Sequence, residues 1–180
     1  MSSHSISIVP KQSKFPDRKS KTIEILDWLI SKNIIKPSIS DCILSSENGY
    51  GISEGAREIT IYNDYLPFDL IINGLEITTE RQIFHTGQNG IDECICPNCN
   101  ENIASEVWNF LDEWFGDKKD NLTCTNCGKE TEINNYKFNP QWGFSNIGFT
   151  FWNWPEMKED FIQEFQERLG VEIGIVHTHI

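Results

Sequence analysis

A chain of 180 residues is long enough for one well-buried core, or for a core with a small satellite module. A hydrophobic share of 38% and an aromatic share of 12% exclude a disordered chain, and no run of about 18 apolar residues is present to cross a membrane as a helix. With 27 Asp+Glu against 15 Lys+Arg the formal charge is −12, so the surface repels phosphate backbones and attracts a basic partner.

The charge is unevenly spread: +4 over residues 1–36, −6 over 37–90, −6 over 91–138 and −4 over 139–180. The first residues lack an apolar stretch of secretory length, so a cytoplasmic protein is expected. In that reducing compartment, paired cysteines read as metal ligands rather than disulfides.

His4 to Pro10 alternates as a half-buried strand, with His4, Ile6 and Ile8 on one face. The basic cluster Lys11, Lys14, Arg18, Lys19 and Lys21 follows; it reads as a solvated linker, with phosphate contact as the alternative. A helix is expected from about Ser20 to Asn33, with Ile25, Leu26, Leu29 and Ile30 on one stripe and Ser20 as N-cap. Pro37 is expected to end it. Gly49, Gly51 and Gly55 suggest turns, and Arg57 to Tyr62 reads as a strand. Asp69 to Thr78 reads as a hairpin, with Asn73-Gly74 suited to a type I′ turn.

Cys96-Pro-Asn-Cys99 and Cys124-Thr-Asn-Cys127 are two C-x2-C units separated by 24 residues. Each can fold as a tight turn that presents two thiolates, and together they supply a tetrahedron of soft ligands. Gly128 after the second pair suits a positive-φ turn. This segment, residues 91–138 and no more, resembles a zinc-ribbon module. The resemblance implies one structural Zn²⁺ held by Cys96, Cys99, Cys124 and Cys127, with a closed shell and no catalytic role. The long spacer departs from the pattern, and its Asn102–Trp114 stretch looks helical, with Val107, Phe110, Leu111 and Trp114 on one side. Cys94 offers a competing ligand two residues upstream, although its place on the approach strand suits a buried thiol. Cys42, with no Cys-His context, reads as a small core residue.

Trp142 to Trp154 reads as an aromatic strand, with Phe144, Thr150, Trp152 and Trp154 on one parity and Ile147, Phe149 and Phe151 on the other. The last helix opens at Pro155, buries Met157, Phe161, Ile162, Phe165 and Leu169, and stops at Gly170. Val171 to Ile180 forms a final strand. The order strand–helix–strands, insertion, strand–helix–strand fits a two-layer α+β sandwich of ferredoxin-like type. Residues 1–90 plus 139–180 would form that domain, and 91–138 the inserted module.

Pairing of the first and last strands would bring His4, His177 and His179 together at one end of the sheet, as a second metal site, a general-base cluster or semi-exposed terminal residues. His85 has no evident partner. No phosphate loop, Ser-His-Asp pattern or H-E-x-x-H motif is present. The expected function is therefore a non-catalytic, acidic zinc-binding protein-interaction module. A bacterial inhibitor or immunity-type protein for a basic partner is one concrete form. A nucleic-acid-associated zinc-ribbon protein and an enzyme using the histidine cluster are the alternatives; neither nucleic acid nor membrane is the expected partner.

Overall fold

The computed structural model describes residues 2–180. It is a mixed α/β structure with mostly antiparallel sheets and four α-helices. In chain order the elements are β1 (His4–Pro10), α1 (Arg18–Ser31), β2 (Ile35–Ser40), β3 (Gly49–Ile52), α2 (Ala56–Ile59), β4 (Leu75–Thr78), β5 (Gln82–Phe84), β6 (Glu93–Ile95) and α3 (Trp108–Phe115). They continue with β7 (Asn121–Thr123), β8 (Glu130–Glu132), β9 (Lys137–Asn139), β10 (Gly143–Ser145), β11 (Gly148–Trp152), α4 (Glu159–Leu169) and β12 (Ile173–His179).

Six strands form one sheet in the order β12-β1-β11-β4-β3-β2, and every neighbouring pair is antiparallel. The first and last strands pair as expected, with His4 opposite His179 and Ile8 opposite Ile175. Alternation sends Ile8, Phe149, Phe151 and Leu75 to one face, where they share a core with Ile25, Trp28 and Leu29 of α1 and with Phe161, Phe165 and Leu169 of α4. Each such buried side chain contributes roughly 1.5–3 kcal/mol. Trp28 stacks on Phe161 at 5.6 Å and 19°, which joins the two helices directly.

On the opposite face, Val9, Phe84 and Val176 form a smaller cluster. It lies under a two-stranded ribbon of β5 and β10. Gly148 has no side chain because a Cβ there would overlap the Phe84 ring.

The helix boundaries differ from the sequence expectation. Helix α1 begins at Arg18 after Asp17 in the left-handed region (φ 51), so Ser20 lies inside it and caps nothing. Helix α4 begins at Glu159 rather than at Pro155, because Met157 bridges to Thr60 and holds the preceding residues extended. Its end is as expected, at Gly170 with φ 77.

The middle of the chain differs more. Arg57–Tyr62 is no strand: α2 covers Ala56–Ile59, and only Thr60 makes a β-bridge. The hairpin over Asp69–Thr78 does not form either. Asn73 and Gly74 both donate their N–H groups to the carbonyl of Cys42 instead (3.0 and 2.9 Å), and β4 starts only at Leu75. Gly74 is required by closeness rather than by a turn, since an added Cβ would overlap Cys42 Sγ. Cys42 is accordingly a buried packing residue, beside Ile43 and Trp152.

The aromatic run is also split. It breaks between Ser145 and Gly148, where Asn146 Oδ1 accepts the N–H of Phe15 at 2.9 Å. Asn153, at φ 63, then reverses the parity, and Trp154 enters the helix-side core instead of following Trp152.

A second core gathers Val107, Phe110, Leu111 and Trp114 around Cys94, Cys96, Cys124, Ile133 and Phe138. It also takes in Trp142 and Phe144, with Ile83 packed against it. The spacer helix is shorter than Asn102–Trp114, being α3 preceded by a 3-10 turn over Ala104–Glu106, but its apolar side faces inward as expected.

Candidate metal centre

The β6–β9 and β7–β8 pairs each carry one C-x2-C turn at a strand end. In the first, Cys96 N–H donates to the Glu101 carbonyl (3.0 Å) and Asn100 N–H to the Cys96 carbonyl (2.9 Å). The second repeats this: Cys124 N–H donates to Lys129 (3.0 Å), and Gly128 N–H to Cys124 (2.9 Å). The closing residue is left-handed in both turns, Asn100 at φ 61 and Gly128 at φ 75. Asparagine and glycine are the residues that tolerate that conformation.

The two turns bring the sulfurs of Cys96, Cys99, Cys124 and Cys127 within 4.8 Å of one another. Among the described residues this is the one cluster of three or more histidines, cysteines and carboxylates close enough to hold a metal ion. Cys96 Sγ lies 3.8 Å from Cys127 Sγ, and Cys99 Sγ lies 3.7 Å from Cys124 Sγ. A regular tetrahedron with metal–sulfur bonds of about 2.3 Å has edges of about 3.8 Å. Disulfide bonding requires about 2.05 Å, so these are separate sulfurs at ligand spacing. The residues fit a four-coordinate ion with no position left for water or substrate.

The surrounding hydrogen bonds repeat the same near-symmetry. Asn98 Nδ2 donates to Cys127 Sγ at 3.4 Å, and Asn126 Nδ2 donates to Cys99 Sγ at 3.5 Å. Each turn thus sends its asparagine across to the second cysteine of the other. Backbone N–H groups of Asn98 and Asn126 also point at Cys96 and Cys124, both at 3.4 Å. These donors stabilise thiolate charge. The Asn98 amide is the main reason the exposed Cys127 thiol is held down to about 6. Cys94 differs: burial first, then the neighbouring Cys124 and Cys96, push its thiol up to about 12. Its backbone pairs with Phe138, and the side chain is a buried part of the second core rather than a ligand. Sequence reading missed the asparagines, although the repeated Cys-x-Asn-Cys pattern signals them.

The cysteine-bearing segment is fastened to the rest of the chain at two points that residue spacing did not reveal. Arg81, just before β5, donates from Nε to the Trp114 carbonyl (2.5 Å) and from a terminal nitrogen to Asp120 (2.7 Å). Ser13 accepts from Trp114 Nε1 (2.9 Å) and donates to Glu132. Glu132 also accepts from Asn134 Nδ2 (3.1 Å), and burial raises its carboxyl above the ordinary range.

The three histidines are neighbours in the backbone but do not form a ligand set. His4 is opposite His179 in the β1–β12 register. His4 Nε2 nevertheless lies 3.2 Å from the Trp154 carbonyl, and His177 Nδ1 lies 3.5 Å from Glu156. His85 Nδ1 accepts the Gly87 N–H at 3.0 Å. The basic cluster is largely engaged within the chain. Lys11 meets Glu172 (3.3 Å), Lys14 meets Asp117 and Asp120 (3.5 and 3.7 Å), and Lys21 meets Glu24 (2.9 Å). Arg18 donates to the Thr79 carbonyl at 2.6 Å.

Among the described residues no helix is long and apolar enough to cross a membrane. No family model, curated protein or solved structure matches the chain.

Proposed function

We propose that this protein is a non-catalytic zinc-binding interaction module that recognises a basic protein, of which an inhibitor or immunity-type protein is one form. The observation that carries the reading is the closed shell of four sulfurs: an ion held there has no open position for chemistry, so its role is to hold the second core together. Zinc is the ion best suited to four thiolates at this spacing in a structural site. The net charge of −12 supplies the attraction for a basic partner, and steering by such a field is strong at low salt.

The internal pairing of Lys11, Lys14, Arg18 and Lys21 supports a protein partner over a phosphate backbone. Lys129 Nζ points to Asn98 beside the cysteine turns (3.5 Å), and Lys119 meets Glu113 of α3 (3.7 Å).

The order β12-β1-β11-β4, with α1 and α4 on one face, supports a ferredoxin-like two-layer sandwich widened by β3 and β2. The metal-bearing segment 91–138 is then the insertion, sharing Trp142, Phe144 and Ile83 with the parent domain.

The test combines metal analysis with affinity capture. Protein purified without chelator should carry one equivalent of zinc, and a tagged chain should retain a basic protein that salt releases. Iron in place of zinc would correct the metal. Retention of nucleic acid alone, with a steep salt dependence, would overturn the protein-binding reading.

A further inference from the structure

The segment over residues 64–72, in place of a hairpin, forms one wall of a surface groove of about 1030 Å³. Residues Ser2 to His4, with Asn153 and Pro155, complete its lining. A second depression adjoins it at His4, Tyr65 and Pro155 and is lined further by Tyr62, Ile6 and His177. The apolar side chains here face solvent: Ile71 is 80% exposed, Tyr65 77%, Tyr62 57% and Leu70 45%. Single exposed apolar residues are ordinary, but a contiguous set gathered in one groove marks an interaction surface.

The charge around the groove selects its occupant. Asp64 and Asp69 line the groove and Glu156 lines the adjoining depression, where His177 Nδ1 lies 3.5 Å from it; among the described residues no lysine or arginine lines either. Anionic lipid and nucleic-acid phosphates meet repulsion there, and a second copy would bring its own charge of −12. A basic polypeptide is attracted to the rim and finds an apolar floor.

We infer that this groove is the docking site for the partner: an aliphatic or aromatic side chain of a basic segment seats against Tyr65, Leu70 and Ile71, while flanking lysines or arginines meet Asp64, Asp69 and Glu156. This rests on the protein-binding reading above and adds the place and the chemistry of contact. Such a geometry puts the apolar anchor at the centre and the charges at the rim, the usual distribution of binding energy in a protein interface.

The experiment places a photo-crosslinking amino acid at position 65 of the full chain, and separately at the exposed positions 36 and 130 as controls, in cells of the source organism. The crosslinked protein is identified, purified and titrated against the wild type, Ile71→Asp and Asp69→Asn. The expected result is a crosslink from position 65 to a peptide in which an apolar residue is flanked by lysine or arginine. Ile71→Asp should then bind at least tenfold more weakly with zinc content and circular dichroism unchanged, and Asp69→Asn should flatten the salt dependence. Crosslinks only from position 36 or 130 would overturn the groove while leaving a protein partner in place. Absence of protein crosslinks from all three positions would sink both readings, and crosslinking of an acidic protein or of a second copy of this chain would overturn the groove's assignment.

Discussion

The guanidinium of Arg81 lies over the indole of Trp114, 3.9 Å from the ring centroid, and the same side chain bonds the carbonyl of that tryptophan. Trp114 is at the C-terminal end of α3, where a cation is favoured by the helix dipole and by unpaired carbonyls. Stacking, dipole and charge-assisted hydrogen bonds therefore act together where α3 of the cysteine-bearing segment meets the β4–β5 connection.

Arg81→Ala should destabilise the protein by about 2–4 kcal/mol, from lost stacking and charged hydrogen bonds. Arg81→Lys should recover less than half, because an ammonium cannot present a flat fork to Trp114 and Asp120 at once. Urea denaturation of the three proteins measures this. Equal stability of the lysine variant and the wild type would show that charge alone carries the contact.

Glu132 gives a pH-dependent prediction. Burial raises its carboxyl in the folded protein, with the Ser13 and Asn134 hydrogen bonds opposing that effect. A raised folded value means the folded state holds the proton longer, so stability is greatest below the unfolded value and falls as pH rises through the folded one. Glu132→Gln should therefore be more stable than the wild type near pH 7, with the gap closing toward about pH 4. Midpoints of thermal unfolding, compared as a difference between the two proteins, test the sign.

Cys124→Ser removes a buried sulfur that belongs both to the metal shell and to the second core. Structural zinc sites of this kind contribute roughly 10–16 kcal/mol of binding free energy. Metal content should fall well below one equivalent, and amide exchange should rise first over residues 91–138. Intact zinc and unchanged thermal stability would show that the ligand set is wrong.

Asn98 and Asn126 make reciprocal N–H···S bonds, so their removal should have matching effects. Asn98→Ala and Asn126→Ala should each weaken metal affinity by about tenfold, the lower end for outer-shell partners. Competition with a chromogenic chelator reads both. A large loss in one and none in the other would show that the near-symmetry of the turns has no energetic counterpart.

Gly74→Ala should cost about 1–3 kcal/mol, because its methyl would meet Cys42 Sγ in a packed site. Adding Cys42→Ala should return part of that stability, a coupling measurable by a double-mutant cycle. Simple additivity would place the strain in the backbone contacts with Tyr50 and Cys42 instead.

The parts legible in the sequence are those whose signal is local or repeated. The four cysteines stand at ligand spacing, α4 ends at Gly170, and the buried stripe of α3 follows from helical period alone. Pairing of β1 with β12 followed from element order. The segment from Arg57 to Thr78 was misread because its apolar residues suggested strands, while the contacts that decide their fate are distant. Thr60 meets Met157, and Gly74 meets Cys42 and, through its carbonyl, the N–H of Trp152. Parity failed for Trp154 for another reason: one left-handed residue, Asn153, turns the following side chain to the other face.

Strand β1 lies between β11 and β12, and Ser7 meets Thr150 across 143 residues of chain. As the polypeptide leaves the ribosome, β1 must therefore wait, unpaired on both edges, until β11 and β12 have been made. The turns bearing Cys96 and Cys124 emerge in the meantime and have most of their partners close at hand. Capture of an ion by those turns can precede closure of the sheet, so that the four cysteines are gathered while β1 still lacks both neighbours.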